Sequence, residues 1–387
     1  MIRAGPAPPM KLLLLTSRFP WPAYTGDRLR AVIWLSALAN DANVTLVAPP
    51  GRVPDDAPRF RFHPAAPSAA KAFAGALRVL AGAPAQTLLA APYDWADAIR
   101  RARDDAGDFD ASVVLLSRLD PCVRGALPGG FRVLDAIDSL RRSSDERSSE
   151  GSPLTRWLWR AESRRVARAE AEAARAYDRV VVVSAADCAE LGAVAISNGV
   201  AIAPLGDAPR PFDFGFWGRL RYFANADAAA WLLDELWPAI RARRPGATLV
   251  IGGAGAPRAI RAADGRDGIS VQSPVPDVAA LARQVRVALF PLRYGTGQSN
   301  KVLEAAEGGC AIVATSKAMR GLDPLMRFAS IEDDAEELVR AAVAAISDEG
   351  RRMATAAELR RVVEQRYARQ ETLDRLAAIV LRREAAA

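Results

Sequence analysis

The sequence predicts an α/β protein with two successive Rossmann-like domains, each built around a doubly wound parallel sheet. Short apolar runs alternate with helical stretches along the chain, a pattern typical of parallel α/β architecture. The alternation stops at a segment rich in Pro and Gly, residues 195–211, and then restarts. The length of 387 residues agrees with this division, because a single hydrophobic core rarely grows past ~250–300 residues.

We predict the first domain over residues 11–194, after an N-terminal extension of residues 1–10. The extension lacks the apolar stretch of a secretory signal, and Met10 is an alternative start. Predicted strands are Lys11–Thr16, Val44–Ala48, Ser112–Ser117, Val133–Ala136 and Arg179–Ser184. Predicted helices are Ser68–Leu80, Leu154–Tyr177 and an amphipathic helix over Arg28–Asn40, which follows a loop of Pro, Gly and aromatic residues.

The second domain is predicted over residues 212–365, after the linker at residues 195–211. Its strands are Phe214–Trp217, Thr248–Gly252, Ile269–Gln272, Val287–Pro291 and Ala311–Thr315, and its helices include Asn225–Arg243, Val278–Gln284 and Ser299–Glu307. Residues 366–387 are predicted as a C-terminal helix. Two doubly wound domains form a cleft, and ligands bind at the carboxyl ends of parallel strands. We therefore expect the functional residues in the loops after Thr16, Trp217, Gly252, Pro291 and Thr315.

Composition excludes several classes of protein. The net charge of +7 favours anionic partners, but no helix-turn-helix, zinc-finger or RNA-binding motif is present, so we predict no nucleic-acid partner. No apolar run has the length of a membrane span. The three cysteines, Cys122, Cys188 and Cys310, are far apart and odd in number, which indicates a reducing, cytoplasmic setting without disulfides.

Histidine and metal chemistry are also disfavoured. His63, the only histidine, lies in a Pro- and Ala-rich stretch far from the expected cleft loops, which argues against a histidine base. Asp108-Phe-Asp110 imitates a metal-binding Asp-x-Asp motif, but it precedes a strand and so lies at the wrong end of the sheet. Asp135 and Asp138 come at the end of a strand and are better placed to line the cleft. We predict no metal and no cofactor.

The strongest motif runs from Pro291 to Ala305, PLRYGTGQSNKVLEA. It leaves a buried strand and enters a helix. Gly295 and Gly297 allow close approach of a ligand, and the free N–H groups of the helix start favour an anion. Lys301 lies in the first turn, where a cation is unfavourable because it opposes the helix dipole, and a phosphate nearby would explain its placement. Glu304, one turn after Asn300, can accept hydrogen bonds from a ribose diol. The alternative is an ordinary strand-loop-helix turn.

With its neighbours, this stretch resembles the donor site of retaining GT-B glycosyltransferases, closest to a bacterial exopolysaccharide-type subgroup in polysaccharide biosynthesis. The similarity covers roughly residues 11–325, with motifs in the family order. They are Thr25-Gly-Asp-Arg28, Val182-Val-Ser184 with Asp187, Ser197-Asn-Gly-Val200, Phe216-Trp-Gly-Arg-Leu220, Asn225-Ala-Asp-Ala228, Val275-Pro-Asp-Val278, the Pro291–Ala305 stretch and Gly309-Cys-Ala-Ile-Val-Ala-Thr315.

The resemblance implies roles for particular residues. The donor diphosphate would contact Arg219, in the turn with Gly218, and the donor ribose would bind Glu304. The donor sugar and phosphates would lie along Gly295, Thr296, Gly297, Asn300 and Lys301. The resemblance also implies that the C-terminal helix crosses back to the first domain.

Three positions depart from the wider family. Thr296 stands where that family has its first glutamate, Ala224 where it has a lysine, and Ala311 where it has a proline. Lys301 is then the candidate to supply the missing charge.

The loop after the first strand is expected on the acceptor side, with Thr25, Gly26, Asp27 and Arg28, and with Asp138 nearby. Asp27, Lys301 and Arg219 are the candidate catalytic residues. The alternative for Asp27 is an ordinary helix N-cap, with Arg28 a surface residue.

These observations imply an enzyme: a metal-independent glycosyltransferase, with retention. It would move a sugar from a nucleotide-sugar to a glycan, lipid-linked or small-molecule acceptor. The alternative is a non-catalytic GT-B protein that binds a nucleotide or glycan in a biosynthetic complex. A GT-B sugar-nucleotide epimerase is disfavoured, because no histidine lies in a cleft loop.

The predicted helix Leu154–Tyr177 is rich in arginine and carries Trp157 and Trp159. This combination suggests contact with an anionic membrane at its cytoplasmic face. The alternative is a solvated helix with Glu162, Glu170 and Glu172 at salt-bridge spacings.

Overall fold

A computed structural model describes residues 9–148, 152–206, 209–295 and 297–382. The chain divides into two compact units: unit 1 is Met1–Ser197 with Thr372–Ala387, and unit 2 is Asn198–Glu371. The division falls inside the predicted linker. No described helix is long and apolar enough to cross a membrane.

Unit 1 contains a seven-stranded parallel sheet in the order β3-β2-β1-β4-β5-β6-β7. The strands are β1 (Met10–Thr16), β2 (Ala42–Ala48), β3 (Arg61–Pro64), β4 (Ala111–Leu115), β5 (Phe131–Ile137), β6 (Arg179–Val182) and β7 (Val194–Ala195). Successive side chains of a strand point to opposite faces. Leu12 and Leu14 therefore pack with Trp34 on one face, and Leu13 and Leu15 pack with Trp95 on the other.

Helices cover both faces of this sheet. They are α1 (Gly26–Leu38), α2 (Ala69–Leu80), α3 (Trp95–Ala106), α4 (Asp120–Val123), α5 (Leu140–Ser148), α6 (Pro153–Ala176) and α7 (Cys188–Leu191), with short 3-10 turns at Ala85–Leu89, Arg124–Ala126 and Ala185–Asp187. Helix α6 has strong start signals: Ser152 Oγ accepts from Thr155 N, and Pro153 occupies the first turn.

Unit 2 contains a six-stranded parallel sheet in the order β10-β9-β8-β11-β12-β13. The strands are β8 (Phe212–Trp217), β9 (Leu249–Gly252), β10 (Ile269–Gln272), β11 (Val285–Phe290), β12 (Ala311–Ala314) and β13 (Ser330–Ile331). The helices of this unit are α8 (Phe223–Trp231), α9 (Trp237–Arg243), α10 (Arg258–Arg261), α11 (Val278–Arg283), α12 (Asn300–Glu307), α13 (Asp323–Met326), α14 (Ala335–Ser347) and α15 (Glu349–Arg366). A π-helical turn, Leu232–Leu236, joins α8 to α9.

The last helix, α16 (Arg369–Leu381), begins in unit 2 and continues into unit 1. Its Leu376, Ala377 and Val380 belong to the same hydrophobic cluster of unit 1 as Leu12 and Leu14. Burial of these apolar side chains is what holds the end of the chain on unit 1.

Several elements differ from the prediction, and two of these differences have a clear physical reason. Helix α1 begins at Gly26, before the predicted Arg28, because Thr25 has the extended backbone of a cap residue. Strands β3, β7 and β13 were not predicted; they have two to four residues each, too few to show a periodic pattern. The prediction of two doubly wound α/β domains is confirmed.

Candidate functional site

The carboxyl edge of the unit 2 sheet is formed around a close approach of two glycines. Gly218 N, directly after β8, donates to the O atom of Gly252, the last residue of β9, at 3.0 Å. Gly253 has φ +144, and a Cβ atom there would lie 1.7 Å from Gly218 O. Only glycine fits this position, so the two loops form one compact floor at the edge where α/β sheets bind ligands.

Lys301, in the first turn of α12, is tied to the turn after β8. Its Nζ donates to Asn225 Oδ1 at 2.5 Å, and Asn225 Nδ2 donates to Arg219 O at 3.0 Å. Nζ also lies 5.7 Å from the centroid of the Phe216 ring. Burial lowers the pKa of Lys301 to about 8, and the nearby Glu304 charge opposes that shift. The site therefore holds a partly desolvated cation whose hydrogen-bond partner is neutral.

Glu304 lies one turn further along α12 and is anchored by Trp217, the last residue of β8. Trp217 Nε1 donates to Glu304 Oε2 at 3.0 Å. Burial raises the pKa of Glu304, while the Trp217 hydrogen bond and the charges of Lys301 and Arg369 act in the opposite direction. Glu304 and Lys301 thus share one small, poorly solvated region.

The remaining donor-side residues surround this pair. Gly218 has φ +154, and a Cβ atom there would lie 2.9 Å from Asn225 Nδ2, whereas Arg219 is exposed in the same turn. Gly295 has φ +129 and open space where a Cβ would be, Gly297 is half-buried, and Asn300 is the first residue of α12. Thr296 lies outside the described residues.

One further polar group at this loop was not predicted. The Ser299 hydroxyl, just before α12, is buried without a hydrogen-bond partner among the described residues, and it does not cap the helix. The structure brings together four predicted donor-side residues, Gly218, Arg219, Lys301 and Glu304. It does so through Asn225 and Trp217, to which the sequence analysis assigned no role. Both residues lie in the quoted motifs, but a motif does not show which distant side chain each residue contacts.

In unit 1, the loop after β1 holds Asp27 between two arginines. Asp27 accepts from Thr25 Oγ1 at 2.6 Å and from Arg118 Nη2 at 3.1 Å, and Arg18 Nη1 lies 3.3 Å away. Asp27 lies in the first turn of α1 and is not its N-cap, because the helix starts at Gly26. Burial lowers the pKa of Arg118, and the Asp27 charge opposes that shift. The negative charge of Asp27, at the carboxyl edge of the unit 1 sheet, is thus balanced by the two arginines.

Arg28 and Asp138 lie at the same edge of unit 1. Arg28 donates to Pro22 O at 3.3 Å and is half-buried. Asp138 follows β5 and is half-buried. The residue before it, Ile137, has φ +66, a strained conformation for a β-branched side chain that indicates a constrained loop.

The expectation that Asp135 lines a cleft is wrong. Asp135 is fully buried, and its Oδ2 accepts from Arg30 Nε at 2.6 Å and from Trp34 Nε1 at 2.6 Å. Its other oxygen accepts from Ile137 N at 3.0 Å. Asp135 therefore shapes the loop that carries Asp138, and it is not available to a ligand.

Sequence reasoning missed a pair of carboxylates, Glu170 on α6 and Glu190 in α7, that contact the loop after β5. Glu170 Oε1 accepts from Leu140 N at 2.8 Å, and the Ser139 hydroxyl lies 3.2 Å from Glu170 and 3.1 Å from Glu190. Burial raises the pKa of Glu170 to about 7.

The alternative in which Glu162 and Glu170 form surface salt bridges is wrong, since both are buried and Glu162 accepts from Ala85 N at 2.7 Å.

Two motifs outside these edges are structural. Asp110 accepts from Lys11 N at 2.8 Å before β4, and Asp108 pairs with Arg103 at 2.7 Å. His63 lies on the edge strand β3 beside Asp105, at 3.3 Å. Within the described residues, no group of three His, Cys, Asp or Glu side chains is gathered as a metal site would be.

The chain has the GT-B fold, an α/β fold of two Rossmann-like units. Residues 211–348 match the family model described as "Glycosyl transferases group 1". A comparison with curated proteins gave no match.

Solved GT-B structures are similar over nearly the whole chain. Sucrose-phosphate synthase from Thermosynechococcus elongatus is 14% identical, with a TM-score of 0.71 over 98% of this chain and 100% of that one. HepE from Anabaena, solved with UDP and glucose, is 15% identical, with a TM-score of 0.66 over 96% and 99%. A UDP-forming trehalose-phosphate synthase from Burkholderia xenovorans is 14% identical, with a TM-score of 0.65 over 98% and 100%. At these identities the similarity establishes the fold alone.

Proposed function

We propose that this protein is a glycosyltransferase that takes a sugar from a nucleotide-sugar bound at the carboxyl edge of unit 2. The observation that carries the proposal is the pair Lys301 and Glu304, each held by a neutral side chain, Asn225 and Trp217 respectively. The matching family model, over residues 211–348, includes the whole of this site. The Anabaena protein, solved with UDP-glucose, shows that a protein of this fold binds such a donor.

In the proposed reaction, the acceptor hydroxyl bonds to the anomeric carbon of the sugar and gives up its proton to the departing diphosphate. The bond between the sugar and the diphosphate breaks, and negative charge grows on the departing phosphate oxygen. Lys301, Arg219 and the free N–H groups at the start of α12 would stabilise that charge, with Gly295, Gly297 and Asn300 alongside the sugar and phosphates. Preorganised donors of this kind supply a large part of catalysis, because they need little rearrangement as the charge develops. Glu304 would bind the ribose. We propose that no metal takes part and that the anomeric configuration is retained.

The acceptor would bind at the carboxyl edge of unit 1, beside Thr25, Gly26, Asp27, Arg28 and Asp138. Asp27 already has arginine partners, and so this edge suits an uncharged hydroxyl acceptor better than an anion. A glycan, a lipid-linked glycan or a small sugar would each satisfy this requirement.

The test is donor binding followed by turnover. Isothermal titration with UDP-, GDP- and ADP-sugars should give one preferred donor, and NMR of the product should show the same anomeric configuration as the donor. A protein that binds the nucleotide but neither transfers nor hydrolyses the sugar with a panel of acceptors would be the non-catalytic binding protein instead.

We also propose that unit 1 docks on the cytoplasmic face of an anionic membrane through α6. Leu154, Trp157 and Leu158 are exposed near its start, with exposures of 66%, 63% and 52%. Arg160, Arg164 and Arg168 are exposed along the next turns. No ion pair within the described part of the chain involves these arginines. Apolar side chains flanked by exposed arginines fit a lipid surface.

A further inference from the structure

We infer that Trp217 is a positioning residue for the nucleotide ribose: its indole N–H fixes Glu304, so that ribose recognition depends on a side chain the nucleotide does not touch. The inference rests on the proposed nucleotide-sugar site and identifies what orients its ribose-binding group. Trp217 is the last residue of β8, and Glu304 lies on α12.

The indole is rigidly held. Trp217 is 1% exposed, and its ring packs edge-on against Phe290, with centroids 5.2 Å apart. A buried indole N–H needs an acceptor, and the only acceptor it has among the described residues is Glu304 Oε2, at 3.0 Å. The carboxylate is therefore tied to the sheet at one oxygen.

The hydrogen bond from Trp217 occupies Oε2 of Glu304, so Oε1 is the oxygen that would bind the ribose. Without the indole, a half-buried glutamate can adopt several rotamers, and its charged form loses a hydrogen bond. With the indole, Glu304 is ordered before the nucleotide arrives, so binding does not have to order it. The charged groups that act on Glu304 are Lys301, on its own helix, and Arg369, and both favour its ionised form.

The experiment compares a ribonucleoside diphosphate with its 2′-deoxy counterpart. The wild-type protein is titrated with UDP, GDP and ADP, and the tightest binder is then measured against its 2′-deoxy form. A hydrogen bond to a charged group corresponds to roughly a tenfold or larger difference in affinity, so the wild type should prefer the ribose form by about tenfold. Trp217→Phe keeps an aromatic ring and removes the N–H. It should reduce that preference to about threefold or less by weakening ribose binding.

The matched control is Trp237→Phe. Trp237 is also buried in unit 2, packs edge-on against Phe214, and donates its indole N–H to the Asp267 carbonyl at 3.1 Å. It lies on α9, so its loss should leave the ribose preference unchanged. If Trp217→Phe does not fold, β-(3-benzothienyl)alanine at position 217 keeps the bicyclic shape with sulphur in place of N–H. It should reduce the preference in the same way.

A second readout separates positioning from packing. Lowering the pH protonates Glu304 and removes the ribose preference. Because the indole hydrogen bond favours the ionised form, Trp217→Phe should lose the preference at a higher pH than wild type. An unchanged preference and pH profile in both Trp217 variants would overturn the inference while leaving the proposed function intact. Failure of the wild type to bind any of the three nucleotides would overturn both.

Discussion

The candidate acidic and basic residues of the two units differ in the kind of partner that holds them. In unit 2, Lys301 and Glu304 have neutral partners, Asn225 and Trp217. In unit 1, Asp27 lies between Arg18 and Arg118, and Asp135 is paired with Arg30 inside the core. A charge with a neutral partner can still act on a ligand, whereas a paired charge is already neutralised. The difference suits an anionic donor at unit 2 and an uncharged acceptor at unit 1.

The largest effect is expected where the unit 1 charges are most deeply paired. Asp135→Ala leaves Arg30 buried without its carboxylate and removes the acceptor for Trp34. Breaking a buried ion pair by removing one partner costs about 3–5 kcal/mol, so thermal unfolding should begin at a clearly lower temperature. Asp105→Ala is the control, because its pairs with Arg61 and His63 are at the surface. Equal unfolding temperatures would mean that the buried pair does not stabilise unit 1.

The next effect concerns chemistry at unit 2. Lys301→Ala should lower kcat by ~10²–10³, because removing one preorganised donor to a developing negative charge has that effect in other enzymes. Ground-state donor affinity should fall less, since the charge on the leaving diphosphate grows in the transition state. Lys71→Ala, a surface change in unit 1, is the control. If kcat is retained while KM rises, Lys301 only binds the donor.

Glu304→Gln should act mainly on binding. It keeps the shape and removes the charge, so donor affinity should fall about tenfold to a hundredfold, the value of a hydrogen bond to a charged group. Glu349→Gln, on an exposed turn of α15, should change nothing. Calorimetric titration of the nucleotide-sugar measures both variants. Equal affinities for Glu304→Gln and wild type would remove the ribose role from Glu304.

Much of the fold could be predicted, because it depends on local pattern. Alternating apolar runs and helices gave both parallel sheets, and the motif around Lys301 gave the start of α12. The partners of Lys301 and Glu304 could not be predicted: Asn225 and Trp217 are 76 and 87 residues away in the chain. Asp135 was misjudged because its place near the end of β5 does not show whether the side chain faces the edge or the core. Position at the end of a strand therefore does not by itself predict whether a side chain is buried or faces the ligand edge.

A smaller effect is expected at the surface of unit 1. Replacing Arg160 and Arg164 together by glutamate should weaken sedimentation with vesicles of anionic lipid, since each basic residue near such a surface contributes about 1 kcal/mol. Added salt should weaken wild-type binding in the same direction, because it screens surface charge. Arg351→Glu, on α15 of unit 2, is the control. If neutral and anionic vesicles retain the wild type equally poorly, unit 1 does not dock through α6.

The smallest expected effect is none, and it tests the charge assignment at unit 2 directly. If Lys301, Arg219 and backbone N–H groups stabilise the leaving diphosphate, a divalent cation is not needed for that purpose. Turnover should then persist in excess EDTA, and Lys301→Ala should not be rescued by magnesium or manganese. A metal-dependent enzyme would behave differently: turnover would vanish in EDTA and return when either metal is added. That result would move the positive charge from Lys301 to a bound ion. The contrast between the two edges would then concern where a metal binds, and Glu304 would need to be tested as one of its ligands.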